Sequence, residues 1–92
     1  MTNSIIVTLK VNQYAEDFEL PGNEKLQELY PKLFDLLQMT RPDIFKQYRG
    51  VVLEVNGCGL VDLSATLFDY GICSGMYMDI VNSEKYEGFG QH

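Results

Sequence analysis

Histidine and cysteine are scarce in this chain of 92 residues, which contains one histidine and two cysteines. The histidine is His92, the last residue, so no base is positioned beside a serine or cysteine nucleophile. Cys58 and Cys73 do not form a C-x-x-C pair, and without an internal histidine they cannot complete a tetrahedral zinc site. Two cysteines are also too few for the disulfide framework of a small secreted domain, so reduced thiols are expected.

Motifs for catalysis and ligand binding are lacking as well. No G-x-x-x-x-G-K-[ST] stretch is present to hold a phosphate. The carboxylates are scattered over positions that we expect to be exposed, so no pair is held for acid–base catalysis or calcium binding. Met39, Met76 and Met78 fit core or near-core positions rather than a cofactor site. The sequence therefore predicts a protein that is not an enzyme and that binds no metal and no cofactor.

Long apolar runs and basic residues are few. No stretch approaches the roughly 20 apolar residues of a membrane span, and Lys10 interrupts the region where a signal peptide would continue. Thirteen acidic residues against seven lysines and arginines give a net charge of -6, which repels phosphate backbones and anionic lipids. Arg41, Lys46 and Arg49 form one local basic concentration, which we interpret as a solvated loop. We expect a cytoplasmic protein without nucleic acid or membrane partners.

The first third of the chain has the pattern of a β-hairpin followed by a helix. Residues 4–11 and 15–20 alternate apolar and polar side chains, which predicts two strands. The residues expected to face the core are Ile5, Val7, Leu9, Val11, Phe18 and Leu20. Asn23 is a suitable N-cap for the helix that follows. Pro31 lies inside the helical pattern and predicts a kink or a later helix start, and Thr40-Arg41-Pro42 ends it. The helix carries one apolar stripe, formed by Leu26, Leu29, Tyr30, Leu33 and Leu37.

The rest of the chain alternates short strands with turns. Residues 43–48 are expected to form one helical turn, residues 51–55 a strand, and residues 60–63 a short strand after the Asn56-Gly57 turn. Residues 66–69 have the spacing of a capping box, and Gly71 suits a left-handed exit from that turn. Residues 76–80 alternate as a last strand. We expect one domain over residues 1–82 and a flexible tail over residues 83–92.

This order of elements is that of an α+β fold, the β-grasp, in which a mixed sheet of four to five strands wraps one main helix. Residues 66–72 read T-L-F-D-Y-G-I and resemble the T-L-x-D-Y-x-I stretch of ubiquitin. The resemblance covers roughly residues 4–82 and implies that Tyr70 packs on the adjacent turn and bonds nearby backbone. Among ubiquitin-like proteins, the L-x-D-Y-x-I-x-x-G stretch and the leucine-rich helix are similar to the YukD/EsaB group. That group implies a cytoplasmic accessory or regulatory component of a bacterial type VII (Esx-type) secretion system.

Two departures from ubiquitin bear on mechanism. Conjugation needs a C-terminal Gly-Gly, whereas this chain ends G-F-G-Q-H, so covalent attachment is disfavoured. By the same resemblance, Glu54 and Asp79 fall within the aliphatic patch that ubiquitin presents to its readers. Two carboxylates there would repel each other mildly and would favour a basic partner over an apolar one.

We therefore hypothesise that the protein binds other proteins. Aromatic anchors are typical of such interfaces, and the candidates are Tyr14, Phe45, Tyr48 and Tyr77. Local packing is the better interpretation for all except Tyr77, on the outer face of the last strand. The edge of the second strand could pair with another copy or a partner strand, but its acidic side chains, Glu16, Asp17 and Glu19, discourage casual pairing.

Three functional hypotheses follow from the sequence. The first is a non-conjugated accessory protein of type VII secretion that docks on a component or regulator of the machine. The second is a ubiquitin-like interaction domain of another bacterial pathway, or a domain excised from a longer protein. The third is a covalent modifier or sulfur carrier, which requires an adenylating partner and a processed tail.

Overall fold

A computed structural model describes residues 3–87 and begins with a β-hairpin. Strand β1, Ser4–Val11, pairs antiparallel with β2, Tyr14–Pro21, so β2 is one residue longer at each end than expected. Asn12 opens the two-residue turn with a φ of 53°. The predicted inward residues are confirmed, because each of the following is buried: Ile5, Val7, Leu9, Val11, Phe18 and Leu20.

Helix α1, Leu26–Thr40, buries all five residues of the predicted apolar stripe. The prediction of an Asn23 cap is wrong, because Lys25 is the N-cap and makes no side-chain cap bond. The first amides of α1 instead donate to backbone carbonyls from a distant loop. Leu26 N lies 2.9 Å from Ala65 O, and Gln27 N lies 3.0 Å from Leu63 O. A tertiary contact thus replaces the local cap.

Two prolines, Pro31 and Pro42, lie in the helical part of the chain. Helix α1 begins five residues before Pro31 and continues through it. Of the two alternatives that the sequence predicted, a kink or a later start, the later start is therefore wrong. The helix ends at Thr40 as predicted. A second helix, α2, Pro42–Phe45, starts one residue earlier than expected, since proline is well suited to a first helical position. Met39, expected near the core, is 80% exposed because it lies on the helix row that faces away from the sheet.

Strand β3, Val51–Val55, turns at Asn56 and Gly57, whose φ angles are 53° and 79°. The returning strand β4 is Cys58–Gly59, so the prediction of a strand at residues 60–63 is wrong. A two-residue turn places Cys58 directly opposite Val55, and pairing therefore starts at once. Leu60 continues it with one bond from its N to Leu53 O, at 2.9 Å.

The capping box in residues 66–69 is confirmed. Asp69 N donates to Thr66 Oγ1 and Thr66 N donates to Asp69 Oδ2, each at 3.0 Å. Gly71 has a φ of 79°, as expected of a left-handed exit. Tyr70 Oη accepts a hydrogen bond from Asp62 N at 2.9 Å, which fixes the loop as the ubiquitin resemblance implies. Strand β5, Tyr77–Asn82, follows.

The five strands form one mixed sheet in the order β2-β1-β5-β3-β4. Strand β5 runs parallel to β1 and antiparallel to β3. The apolar stripe of α1 packs with the inward residues of the sheet into a single core. The sheet therefore leaves its opposite face, here called the outer face, to other contacts. Among residues 3–87, no helix is long and apolar enough to cross a membrane.

The chain continues as an ordered segment after β5. Ser83–Tyr86 forms a 3-10 helix, and Asn82 Oδ1 caps it by accepting from Glu84 N at 3.2 Å. The sequence assigned these residues to a flexible tail, but Lys85 and Tyr86 contact the outer face of the sheet. The described fold thus extends beyond residue 82. Residues 88–92, on which the expectation about the terminal glycines falls, lie outside the described residues.

Candidate protein-interaction surface

The outer face is formed by the side chains that alternate with the core residues. On β1 and β5, Leu9 pairs with Met78 and both are buried against α1, whereas their neighbours point the other way. Those neighbours include Lys10, Tyr77 and Asp79, all exposed. The register places Lys10 opposite Asp79, so unlike charges lie side by side at the centre of this face.

Tyr77 is the exposed aromatic side chain of the outer face. It is 64% exposed, and the ammonium of Lys10 lies 5.7 Å from its ring centroid, within range of a cation–π contact. Tyrosine has only two side-chain torsions, so it buries a large area on binding with little loss of rotamer freedom. Tyr77 has the chemistry and the exposure of an interface anchor.

Glu54 also points to the outer face, but it is not an exposed carboxylate as the sequence suggested. It is only 5% exposed, because the C-terminal 3-10 helix folds over it. Lys85 Nζ lies 2.7 Å from Glu54 Oε2, and the hydroxyl of Tyr86 donates to the same oxygen. A Cβ on Gly59 would lie 2.5 Å from the ring of Tyr86, so a larger residue there would force this ring to move.

The electrostatics of Glu54 follow from these two donors. Hydrogen bonds from Lys85 and from Tyr86 hold the pKa of Glu54 below its ordinary value, against a smaller opposing effect of burial. The same bonds raise the pKa of Lys85 and of Tyr86. The expected repulsion between Glu54 and Asp79 is therefore offset, since Lys85 neutralises Glu54 locally. Asp79 remains as the exposed carboxylate of the pair.

A shallow groove brings three of the candidate residues together. Its volume is about 490 Å³, and Tyr48, Glu54 and Asp79 line it with the ammonium-bearing Lys10 and Lys85. Acidic and basic groups thus both line it. The sequence had placed two carboxylates, Glu54 and Asp79, on this surface, and the structure adds the two lysines. This mixture of charges suits polar contacts at the rim of an interface around Tyr77.

Tyr14 and Phe45 lie apart from this groove. Phe45 is fully buried and stacks edge-on against Tyr48 with ring centroids 5.0 Å apart, so it cannot serve as a surface anchor. Tyr14 donates to Glu16 Oε1 at 2.6 Å, and the Arg41 guanidinium lies 4.7 Å from its ring. Burial, with Glu16, raises the pKa of Tyr14 to about 12. These contacts agree with the local-packing interpretation of both residues.

Sequence reasoning missed the two residues that cover Glu54. Lys85 and Tyr86 lie 31 and 32 residues beyond it, and no periodicity links them to β3. Gly59 was the available signal, because a glycine on a strand often marks the close approach of another group. Several exposed apolar side chains were also missed, namely Ile6, Leu36, Val61, Leu63 and Phe68.

The remaining polar groups of the described residues that could carry chemistry are the two thiols, the carboxylates and one buried hydroxyl. Cys58 and Cys73 are exposed free thiols. Within residues 3–87, no three histidine, cysteine or acidic side chains converge as metal ligands. The buried hydroxyl of Tyr30 donates to Leu60 O at 2.6 Å and accepts from Leu53 N at 3.3 Å. Burial raises the pKa of Tyr30, which keeps it a neutral structural group.

Solved structures of other proteins share this architecture. The ubiquitin-like domain of the type VII secretion protein EccD1 from Mycobacterium tuberculosis superimposes with a TM-score of 0.71 over 85% of this chain and 97% of that domain, at 17% identity. The fold is a ubiquitin-like β-grasp. The ubiquitin-like domain of EccD5 from Mycobacterium xenopi matches with a TM-score of 0.70 over 85% of this chain and 92% of that one, at 13% identity.

A third similar structure is a chain of the MycP5-free ESX-5 inner membrane complex. It matches 86% of this ubiquitin-like chain with a TM-score of 0.68 and 13% identity, and the match spans 21% of that longer chain. No protein-family model matches the sequence, and no curated protein matches it. At these identities the likeness establishes the fold, and membership of the YukD/EsaB group stays a prediction.

Proposed function

We propose that this protein is a non-conjugated ubiquitin-like accessory or regulatory component of a bacterial type VII secretion system, and that it acts by binding another protein in the cytoplasm. The observation that carries the proposal is the likeness to the ubiquitin-like domain of EccD1, which spans nearly all of that domain. The T-L-F-D-Y-G-I stretch, which resembles that of ubiquitin, supports the ubiquitin-like part of the proposal.

The outer face is the docking surface in this proposal. Tyr77 supplies a rigid apolar anchor, while Lys10 and Asp79 form a polar border around it. The net charge of -6 attracts basic surfaces at long range and so favours a partner with a basic patch. Ubiquitin readers do not fit, because Lys85 and Tyr86 cover the part of the sheet that carries Glu54.

Non-covalent action is part of the proposal. Residues 1–92 contain no Gly-Gly pair, which is the motif that an adenylating enzyme activates. The C-terminal 3-10 helix supports this idea, since it directs the chain back onto the sheet through Lys85 and Tyr86. In this proposal the partner offers a surface that accepts Tyr77.

The substitution Tyr77→Ala tests the docking surface. We expect the variant to fold normally, because the ring is exposed. It should recover at least about tenfold less of the secretion components than the wild-type protein does. A tenfold loss corresponds to about 1.4 kcal/mol, which is typical of an interface anchor. The measurement is affinity recovery of the tagged protein with quantitative mass spectrometry.

Leu63→Ala is the matched control, since Leu63 is exposed on a loop away from the sheet face. It should leave recovery unchanged. Equal recovery with Tyr77→Ala and wild type would remove Tyr77 from the interface. Retained proteins that belong to another bacterial pathway would instead favour the second hypothesis raised by the sequence.

A further inference from the structure

Strand β2 forms an edge of the described sheet, with β1 as its neighbour on one side. Beyond β2, Gly22 N donates to Asn3 O at 2.8 Å, which continues the register of the β1–β2 pair. Successive residues of an antiparallel strand alternate in the direction of their backbone groups. Because Gly22 is directed to β1, the even-numbered residues of β2 share that direction. Ala15, Asp17 and Glu19 therefore direct their backbone N–H and C=O groups outward.

An apolar groove adjoins this open edge, between β2 and α1. Its volume is about 210 Å³, below the roughly 300 Å³ at which small-molecule sites begin, so it fits single side chains of a partner. Leu36 forms part of its wall and is 44% exposed, although it lies on the main helix. The other apolar lining residues include Leu20, Leu29 and Leu33.

The groove also holds a carboxylate with an unused acceptor. Glu24 Oε2 pairs with Lys32 Nζ at 2.7 Å, whereas Glu24 Oε1 is buried and has no hydrogen-bond partner among the described residues. A buried acceptor without a donor is unfavourable. A donor brought in by a ligand, such as a backbone N–H of an extended segment, would relieve that cost.

The side chains on the two faces of β2 indicate which residues an added strand would need on each face. Phe18 and Leu20 point to the α1 side, towards the groove, while Asp17 and Glu19 point to the outer face. A strand added at the edge would place alternate side chains over the groove and against these two carboxylates. Apolar residues suit the first set of positions, and lysine or arginine suits the second.

We propose that β2 and the groove beside α1 bind an extended segment of another protein, in which apolar residues alternate with lysine or arginine, as an additional strand of the sheet. A second copy of this chain is a poor occupant, because pairing two β2 edges would bring Asp17 and Glu19 of both copies together. The site is centred on β2 rather than on Tyr77, and it stands whether or not the partner belongs to a secretion system.

A synthetic peptide tests this proposal directly. The probe is a capped octapeptide that alternates lysine with valine or leucine, titrated into the 15N-labelled full-length protein. We expect amide shifts centred on Ala15, Asp17, Glu19 and Leu36. A peptide of the same composition with its lysines in one block controls for attraction by net charge alone, and it should bind at least about tenfold more weakly.

Two substitutions at one position separate backbone pairing from charge. Asp17→Ala removes the carboxylate, whereas Asp17→Pro removes both the carboxylate and the outward backbone N–H. An edge strand tolerates proline at such a position, because the hydrogen bonds between β2 and β1 do not use that N–H. We expect Asp17→Pro to weaken binding at least about threefold more than Asp17→Ala, as befits the loss of one backbone hydrogen bond. Tyr77→Ala should bind the octapeptide as the wild type does.

Three results would overturn the proposal. They are equal affinity for the alternating and block peptides, equal affinity of Asp17→Pro and Asp17→Ala, or shifts centred on Tyr77 instead of β2. Each variant is first checked for an unchanged dispersion of its amide spectrum, so that a loss of binding reports on the site and not on folding.

Discussion

At the scale of single residues, the contact of Glu54 with Lys85 and Tyr86 distinguishes this surface from a simple acidic one. A buried carboxylate is stabilised only when donors replace its lost water. Lys85 Nζ, at 2.7 Å, and the Tyr86 hydroxyl are those donors. The same contacts attach the C-terminal 3-10 helix to β3. Glu54 thus serves the fold, while Asp79 and Tyr77 remain available to a partner.

This contact makes stability depend on pH. The pKa of Glu54 is lower in the folded protein than its ordinary value of 4.5, so its stabilising contribution is present above that value and is lost as pH falls through the folded pKa. We expect the difference in unfolding free energy between wild type and Glu54→Gln to shrink between about pH 6 and about pH 3. Urea unfolding at a series of pH values measures it. A difference that stays constant over this range contradicts the assignment.

The residues whose burial the sequence did not predict depend on contacts that local sequence patterns do not encode. Patterns of alternation predicted which side chains of β1 and β5 face the core, because period two follows from strand geometry itself. The burial of Glu54 depends on a segment more than 30 residues later in the chain, which no local pattern encodes. The prediction that Met39 lies in or near the core was wrong for a related reason, since the hydrophobicity of a residue does not indicate which side of a helix faces the sheet.

At the scale of elements, α1 shows how tertiary contacts replace local signals. Its N-terminal amides donate to the carbonyls of Ala65 and Leu63, so the fold needs no capping side chain at Asn23. The stripe of α1 and its end at Thr40 were predictable from spacing and from Pro42. The two-residue strand β4 was not, because strands of that length carry no periodicity. Pro31 has a low helix propensity, yet it lies within a helix that tertiary packing stabilises.

Pro31 offers a test at the scale of this element. In a helix interior, proline is about 3 kcal/mol less favourable than alanine, because it removes a backbone donor and crowds the preceding turn. Pro31 is exposed, so little packing would be lost with it. We expect Pro31→Ala to raise the unfolding free energy by about 1–3 kcal/mol, after the greater freedom of the unfolded chain is subtracted. Thermal and urea unfolding provide the measurement.

Pro42→Ala is the matched control for this experiment. Pro42 occupies the first position of α2, where a missing N–H costs nothing. Its replacement should be neutral or should lower the unfolding free energy by about 0.4–1 kcal/mol, through the unfolded chain alone. If Pro31→Ala destabilises the protein as much as Pro42→Ala or more, then the helix is not strained at Pro31.

At the scale of the whole molecule, a small ubiquitin-like β-grasp presents two kinds of surface. The outer face carries Tyr77 within a border of mixed charge, and the edge of β2, which no other strand within residues 3–87 covers, lies beside an apolar groove. The likeness to the ubiquitin-like domains of EccD1 and EccD5 establishes this fold, and a role in type VII secretion is the proposal built on it. The fold followed from the order of elements and the T-L-F-D-Y-G-I stretch, whereas the surfaces depend on which side chains the fold leaves uncovered.

The most direct test of the central claim is recovery of the tagged protein, at native abundance and from its own cells, under mild and under denaturing conditions. Mass spectrometry identifies what is retained in each case. Non-covalent docking predicts secretion components that are present under mild conditions and absent after denaturation. Adducts of increased mass that survive denaturation would contradict it, because they would mean that the C-terminus is activated and attached covalently.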